Sequence, residues 1–129
     1  VPVDMPYEDY VGHPRNAGTY GTAFRQTREQ NIPLMDMVWN TSFAAANFYS
    51  KLGLKAMQER GRIQQGMIAD ITIFDPKVIR DNAEFLTGKQ GLPTSGIPHV
   101  MVNGELIVEN SKVILANKPG QPIRYVIKN

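Results

Sequence analysis

The strongest constraint on this chain is a change of period at Gly61. Before it, apolar residues recur at three- and four-residue spacing; after it, they alternate. The run Gly61-Arg62-Ile63-Gln64-Gln65-Gly66-Met67-Ile68-Ala69-Asp70-Ile71-Thr72-Ile73-Phe74-Asp75-Pro76 lies on that boundary and reads as a tight turn entering a strand over 69–75. Ile71 and Ile73 would share one face, Thr72 and Phe74 the other, and Pro76 would end the strand. Gly61 and Gly66 lack the Lys-Ser/Thr of a phosphate loop, so their expected part is to permit the turn. Asp70, just past it, reads as a hydrogen-bond acceptor rather than a base. Helices followed by strands suggest two structural neighbourhoods, residues 1–60 and 61–129, rather than one interleaved sheet.

In the first half, Gly and Pro punctuate residues 1–18 as a loop. A helix is expected from Thr19 to about Gln30, capped by Thr19, with Tyr20, Ala23, Phe24 and Thr27 on one face and Arg25 paired to Glu29 on another. Pro33 should open a second helix with Leu34, Met37 and Val38 buried. Thr41-Ser42 can cap a third, closed by Gly53, in which Ala44-Ala45-Ala46 permits close approach of another element. A short fourth helix is expected over 54–59.

In the second half, residues 77–98 read as irregular. Asn103-Gly104 between His99-Val100-Met101-Val102 and Glu105-Leu106-Ile107-Val108 is the preferred two-residue hairpin turn, because both positions tolerate positive φ. Short strands over 113–115 and 123–127 complete the expectation.

The 129 residues suffice for one domain with a core, and 42% apolar content argues against disorder. No stretch approaches the roughly 20 apolar residues of a membrane span, and no secretory signal pattern is visible. A net charge of +2, with scattered basic residues, gives no footprint for nucleic acid. The absence of cysteine excludes disulfides and thiolate metal sites within the chain but does not separate cytoplasm from periplasm. Val1 is not an initiator Met, and the expectation is a piece of a longer protein.

His13-Pro14-Arg15 is the polar cluster most able to carry function. It lies in a loop before a helix, and arginine can hold a carboxylate through two parallel hydrogen bonds. The plainer alternative is a surface loop in which Arg15 pairs with Glu8 or Asp9. The Tyr7-Glu8-Asp9-Tyr10 cluster reads as a solvated loop, with a lid as the alternative. His13 and His99 are the only histidines and have no metal-ligand spacing, so no metal ligand is expected here. Ser42 and Ser50 lack a neighbouring base, and Trp39, Phe43 and Phe48 read as packing.

Three blocks in order carry a family resemblance. His13-Pro14-Arg15-Asn16-Ala17-Gly18-Thr19-Tyr20 resembles the His-Pro-Arg…Gly-Thr-Phe segment of N-acyl-D-amino-acid deacylases, the D-aminoacylase branch of the amidohydrolase superfamily. The run from Arg60 to Pro76 is similar to their region after the last barrel helix, and Gly96-Ile97-Pro98-His99-Val100-Met101-Val102-Asn103-Gly104 to their C-terminal hairpin. The resemblance implies an α/β protein: the C-terminal portion of a (β/α)8 TIM barrel, with strands of a small β-sandwich. Residues 1–60 would give the active-site loop and final barrel helices, and 61–129 the sandwich strands. It implies zinc-dependent hydrolysis of the amide of an N-acyl amino acid by the complete enzyme. The zinc ligands would lie before Val1, leaving the fragment inactive and without metal. Arg15 would bind the carboxylate of a small-molecule substrate, and His13 is the second candidate substrate-binding residue. Asp4 precedes His13 at a compatible spacing, but its neighbours are Val3 and Met5 rather than Ser and Gly. It is a candidate for the catalytic aspartate, the alternative being an aspartate upstream of Val1.

The partner expected for the apolar helix stripes is the remainder of the same chain, or other copies of it in a homo-oligomer. Two other readings stand beside this one: a non-catalytic α+β interaction module, and another amidohydrolase class of dihydroorotase or hydantoinase type.

Overall fold

The computed structural model describes residues 5–125. Three α-helices come first: α1 (Arg15–Glu29), α2 (Leu34–Thr41) and α3 (Phe43–Lys51). Four strands follow: β1 (Ile71–Ile73), β2 (His99–Val102), β3 (Glu105–Glu109) and β4 (Lys112–Val113). Short 3-10 turns occupy Tyr7–Asp9 and Lys55–Glu59, the latter where a fourth helix was expected.

α1 starts four residues earlier than the sequence pattern predicts. Pro14 already has helical dihedrals (φ −54°, ψ −26°), and proline suits a first helical position because its missing N–H costs nothing there. Thr19 is no cap. Its hydroxyl donates to the Arg15 carbonyl one turn back, at 2.6 Å. Asn31 takes φ +55° just past the end of the helix, as a helix-stopping residue should. The buried edge is Gly18, Gly21, Phe24 and Thr27, whereas Tyr20, expected on that face, is 61% exposed. The cause is close backbone approach. A Cβ on Gly21 would sit 2.6 Å from the Asp81 amide nitrogen and 2.7 Å from Thr94 Oγ1, so only a glycine edge admits the 80–94 segment.

α2 and α3 meet at a sharp joint where the expected cap does not form. Ser42 and Thr41 both turn their hydroxyls back onto α2, to the carbonyls of Val38 and Met37. In α2, Met37 and Val38 are half-buried, but Leu34 is exposed. Gly53 ends α3 at φ +96°, and the amide of buried Leu54 returns to the Tyr49 carbonyl at 3.0 Å. The alanine run accepts a close neighbour: Gly61, at φ +83°, has its Cβ position 2.7 Å from Ala46 Cβ. The turn that changes the chain's period is thus seated directly on α3.

The four strands form an antiparallel meander in the order β1-β2-β3-β4. Asn103 (φ +49°) and Gly104 (φ +80°) make the expected turn between β2 and β3. The β3–β4 turn uses Asn110 (φ +49°) and Ser111 (φ +62°). β1 is shorter than the expected 69–75. Asp70 is drawn off the ladder, its carboxylate accepting from Arg60 Nε at 3.0 Å and from the Asn103 amide at 2.8 Å. At the other end, Asp75 turns the chain, its side chain accepting from the Lys77 amide at 2.8 Å and its carbonyl from the Ile79 amide at 2.9 Å. β4 ends at Val113, short of Leu115. Residues 121–125 form no strand, and the rest of the strand expected over 123–127 lies outside the described residues.

The core joins the two halves. Phe24 of α1 packs on Phe74 (ring centroids 4.7 Å apart), and Ile79 is 2% exposed. No helix among the described residues is long and apolar enough to cross a membrane.

Candidate functional site

Three segments converge at the start of α1: the loop over 7–12, the His13-Pro14-Arg15 turn and the irregular loop over 83–92. Pro14 is buried, while His13 and Arg15 are exposed. His13 Nδ1 accepts the Arg15 backbone N–H at 3.1 Å, and the His13 carbonyl accepts the Asn16 N–H at 3.0 Å. These two bonds satisfy donors that a helix start otherwise leaves open. The other side of the imidazole meets Phe85 edge-on, with centroids 4.9 Å apart and planes at 78°.

The 83–92 loop is braced in turn. Its ends bridge through Arg80 and Ser95. The Thr94 hydroxyl donates to the Ala17 carbonyl at 3.1 Å, and Asn82 Nδ2 to the Pro93 carbonyl at 2.8 Å. Lys89 pairs with Glu84 at 3.3 Å. Gly91 lies against the first loop so closely that a Cβ would fall 2.8 Å from Tyr10 Cβ and 2.9 Å from the Tyr7 carbonyl oxygen. The Tyr10 hydroxyl accepts from Asn16 Nδ2. The Tyr7–Tyr10 cluster is therefore a strut between the two loops.

Nearly three turns further along α1, Arg25 donates to Asp81 at 2.8 Å and pairs with Glu29 at 3.0 Å. The Arg25 guanidinium holds the Asp81 carboxyl below its ordinary range; partial burial opposes this and the Thr22 hydroxyl assists it. The same partnership raises Arg25 above its usual value.

Of the residues singled out by sequence, His13 and Arg15 are adjacent here, and Asp4 lies outside the described residues. Arg15 does not pair with Glu8 or Asp9; among the described residues its guanidinium has no carboxylate partner. His99 is elsewhere, half-buried in β2 opposite Ile73. Trp39 and Phe43 do pack (centroids 4.5 Å), yet Trp39 is 53% exposed and Phe48 is also open to solvent. Sequence reasoning missed Phe85 and Gly91. They lie more than 70 positions from His13, in a stretch whose only signal was irregularity.

No group of three or more His, Cys, Asp or Glu side chains that could hold a metal ion occurs among the described residues. Among the described residues the donor set does not fit zinc. His13 spends Nδ1 on an amide N–H, and His99 sits on the sheet. Among the described residues the site offers a guanidinium without a carboxylate partner at a helix start, which suits an anion.

No family model matches the chain. An N-acyl-D-aspartate deacylase of Alcaligenes xylosoxydans xylosoxydans is 32% identical over 120 residues, which are 91% of this chain and 22% of that protein. A crystal structure of D-aminoacylase, described as defining a subset of amidohydrolases, superposes with a TM-score of 0.68 at 32% identity, over 80% of this chain and 20% of that one. An N-acyl-D-glutamate deacylase from Bordetella bronchiseptica, solved with zinc and a phosphonate mimic of the tetrahedral intermediate, superposes with a TM-score of 0.71 at 28% identity, over 87% and 22%. The chain spans about a fifth of the length of these relatives. In sequence and in fold it is homologous to that fifth of the D-aminoacylase-type amidohydrolases.

Proposed function

We propose that this chain is the C-terminal part of a metal-dependent amidohydrolase that cleaves the amide of an N-acyl amino acid, and that its own contribution is to bind the substrate carboxylate. Residues 1–60 then supply the active-site loop and last helices of a (β/α)8 barrel, and 61–129 strands of a small β-sandwich. Arg15 is the carboxylate-binding residue, with His13 beside it. The observation that carries this reading is the Arg15 guanidinium, without a carboxylate partner among the described residues, at the start of α1 inside the His-Pro-Arg block. Active sites of such barrels lie at the C-terminal strand ends, where a loop entering a helix hangs over the substrate.

The metal belongs to the remainder of the protein. This chain's residues bind and orient: a guanidinium fixed at one end of the substrate restricts the pose of the amide at the other. The likeness to two deacylases of N-acyl-D-amino acids favours this substrate class over the cyclic amides of hydantoinases and dihydroorotases. The exposed apolar side chains Met35, Trp39, Phe48 and Leu52 support a covering by earlier polypeptide rather than a free-standing module.

Arg15→Ala in the complete enzyme tests the reading. A charge-assisted, two-pronged contact contributes about 1.5–3 kcal/mol, so KM should rise about 10- to 100-fold, with the metal content intact. An unchanged KM for a substrate bearing a free carboxylate removes Arg15 from the site.

A further inference from the structure

We propose that His13 is a positioning residue, holding Arg15 in place through its ring rather than binding substrate through Nδ1; this rests on Arg15 being the carboxylate-binding residue. The ring is fixed from two sides. Nδ1 accepts the backbone N–H of Arg15 itself at 3.1 Å. Phe85 stands edge-on at 4.9 Å between centroids. A neutral imidazole that accepts at Nδ1 carries its proton on Nε2, so one tautomer is selected.

The consequence falls on the residue next but one. Arg15 is the first residue of α1, and first turns fray when their N–H groups lack acceptors. A frayed start lets the Arg15 backbone swing, and a long side chain on a swinging backbone spends only part of its time in the binding pose. Apparent affinity falls by that fraction. His13 therefore sets the occupancy of the competent pose without touching the substrate.

Phe85 closes the device. It comes from the 83–92 loop, which Thr94 ties to the helix start and Gly91 seats against the Tyr7–Tyr10 strut, while the Glu84–Lys89 pair braces the loop itself. Phe85 is 78% exposed, and its contact with the imidazole is the observation that gives this exposed ring a part to play.

The test uses the complete enzyme and an N-acyl amino acid with a free carboxylate. His13→Ala removes the acceptor and should raise KM about fivefold, the effect of losing an ordinary helix cap, with kcat within about twofold. His13→Asn restores an oxygen acceptor at that position and should return KM to within about twofold of the parent. Selective 15N-histidine labelling should show the His13 proton on Nε2. The inference is overturned if His13→Asn is as impaired as His13→Ala, or if the proton resides on Nδ1. Should His13→Ala fail to fold, the Asn variant and the tautomer decide by themselves. Arg15→Ala separates the two proposals: a raised KM there with an equally impaired Asn variant ends this inference alone, whereas an unchanged KM ends the carboxylate reading on which it stands.

Discussion

The inner edge of α1 and the outer face of α2–α3 are both apolar, yet they end in opposite environments. Phe24 is 8% exposed, covered by Phe74 and the 78–96 segment of the same chain. Trp39 and Phe48 are 53% and 60% exposed, with Met35 and Leu52 beside them. The sequence pattern expects cover from outside the chain for the Tyr20/Phe24 and Leu34/Val38 stripes and reads Trp39 and Phe48 as packing. The difference lies in the second half of the chain, which covers the inner edge of α1 but touches α3 only at the Gly61 turn, leaving the Trp39–Phe48 face open. α1 is therefore the covered platform for the His13–Arg15 corner, and α2–α3 is the face that carries exposed apolar side chains.

The largest test of this contrast is a pair of truncations. Phe24→Ala should cost about 3–5 kcal/mol in chemical denaturation wherever the chain is folded, because it empties a core position. Phe48→Ala should be within about 0.5 kcal/mol in the 129-residue chain, as an exposed substitution is. In the complete protein the two should converge, provided earlier polypeptide covers the outer face. A neutral Phe48→Ala there would mean that α2–α3 faces water in the whole protein as well.

Next in size is Gly21→Ala. The added methyl meets the Asp81 backbone nitrogen and Thr94 Oγ1 below 3 Å, and a backbone atom cannot rotate away. About 1–3 kcal/mol is expected, with the 80–94 segment displaced from α1. Gly120→Ala is the control: its Cβ position has nothing within 4 Å and no positive φ, so the midpoint should not move. Equal effects at the two glycines would show that close approach is not what closes the inner edge.

Legibility follows the range of the interactions. The Asn103-Gly104 hairpin and Gly53 as a helix stop could be read because each is decided by its own dihedrals; Asp70 could be read as an acceptor, but not its distant partners Arg60 and Asn103. The start of α1 was misplaced because a histidine ring supplied the acceptor that a Thr hydroxyl was expected to supply. The Thr41-Ser42 cap failed for a related reason: hydroxyls can bond back to a carbonyl one turn earlier as readily as forward to an amide. The burial of Gly18 and Gly21 in place of Tyr20 was unreadable, since it depends on a segment about 60 residues away. The same limit hid Phe85, whereas the motif containing Arg15 was visible because it is contiguous.

The smallest expected effect concerns the ion pair that latches the two halves beside the site. Asp81 has its folded-state carboxyl held below the ordinary range, chiefly by the hydrogen bond from Arg25. The sign follows directly. A lowered folded value means that the unfolded state binds the proton first as pH falls. The stabilisation is complete above the ordinary carboxylate value of about 3.9 and is lost as pH drops through the lowered one. Both side chains remain partly exposed, at 31% and 20%, so solvent and salt screen the pair and the effect is modest. Asp81→Asn should flatten the acid limb of a stability-against-pH curve by modestly lowering neutral stability, while stability in strong acid stays close to the parent. High salt should weaken the parent's limb in the same direction. If the limb is unaltered in Asp81→Asn, the 80–94 segment is held to α1 by the glycine edge and the Thr94 bond without help from charge, and the inner face differs from the outer by packing alone.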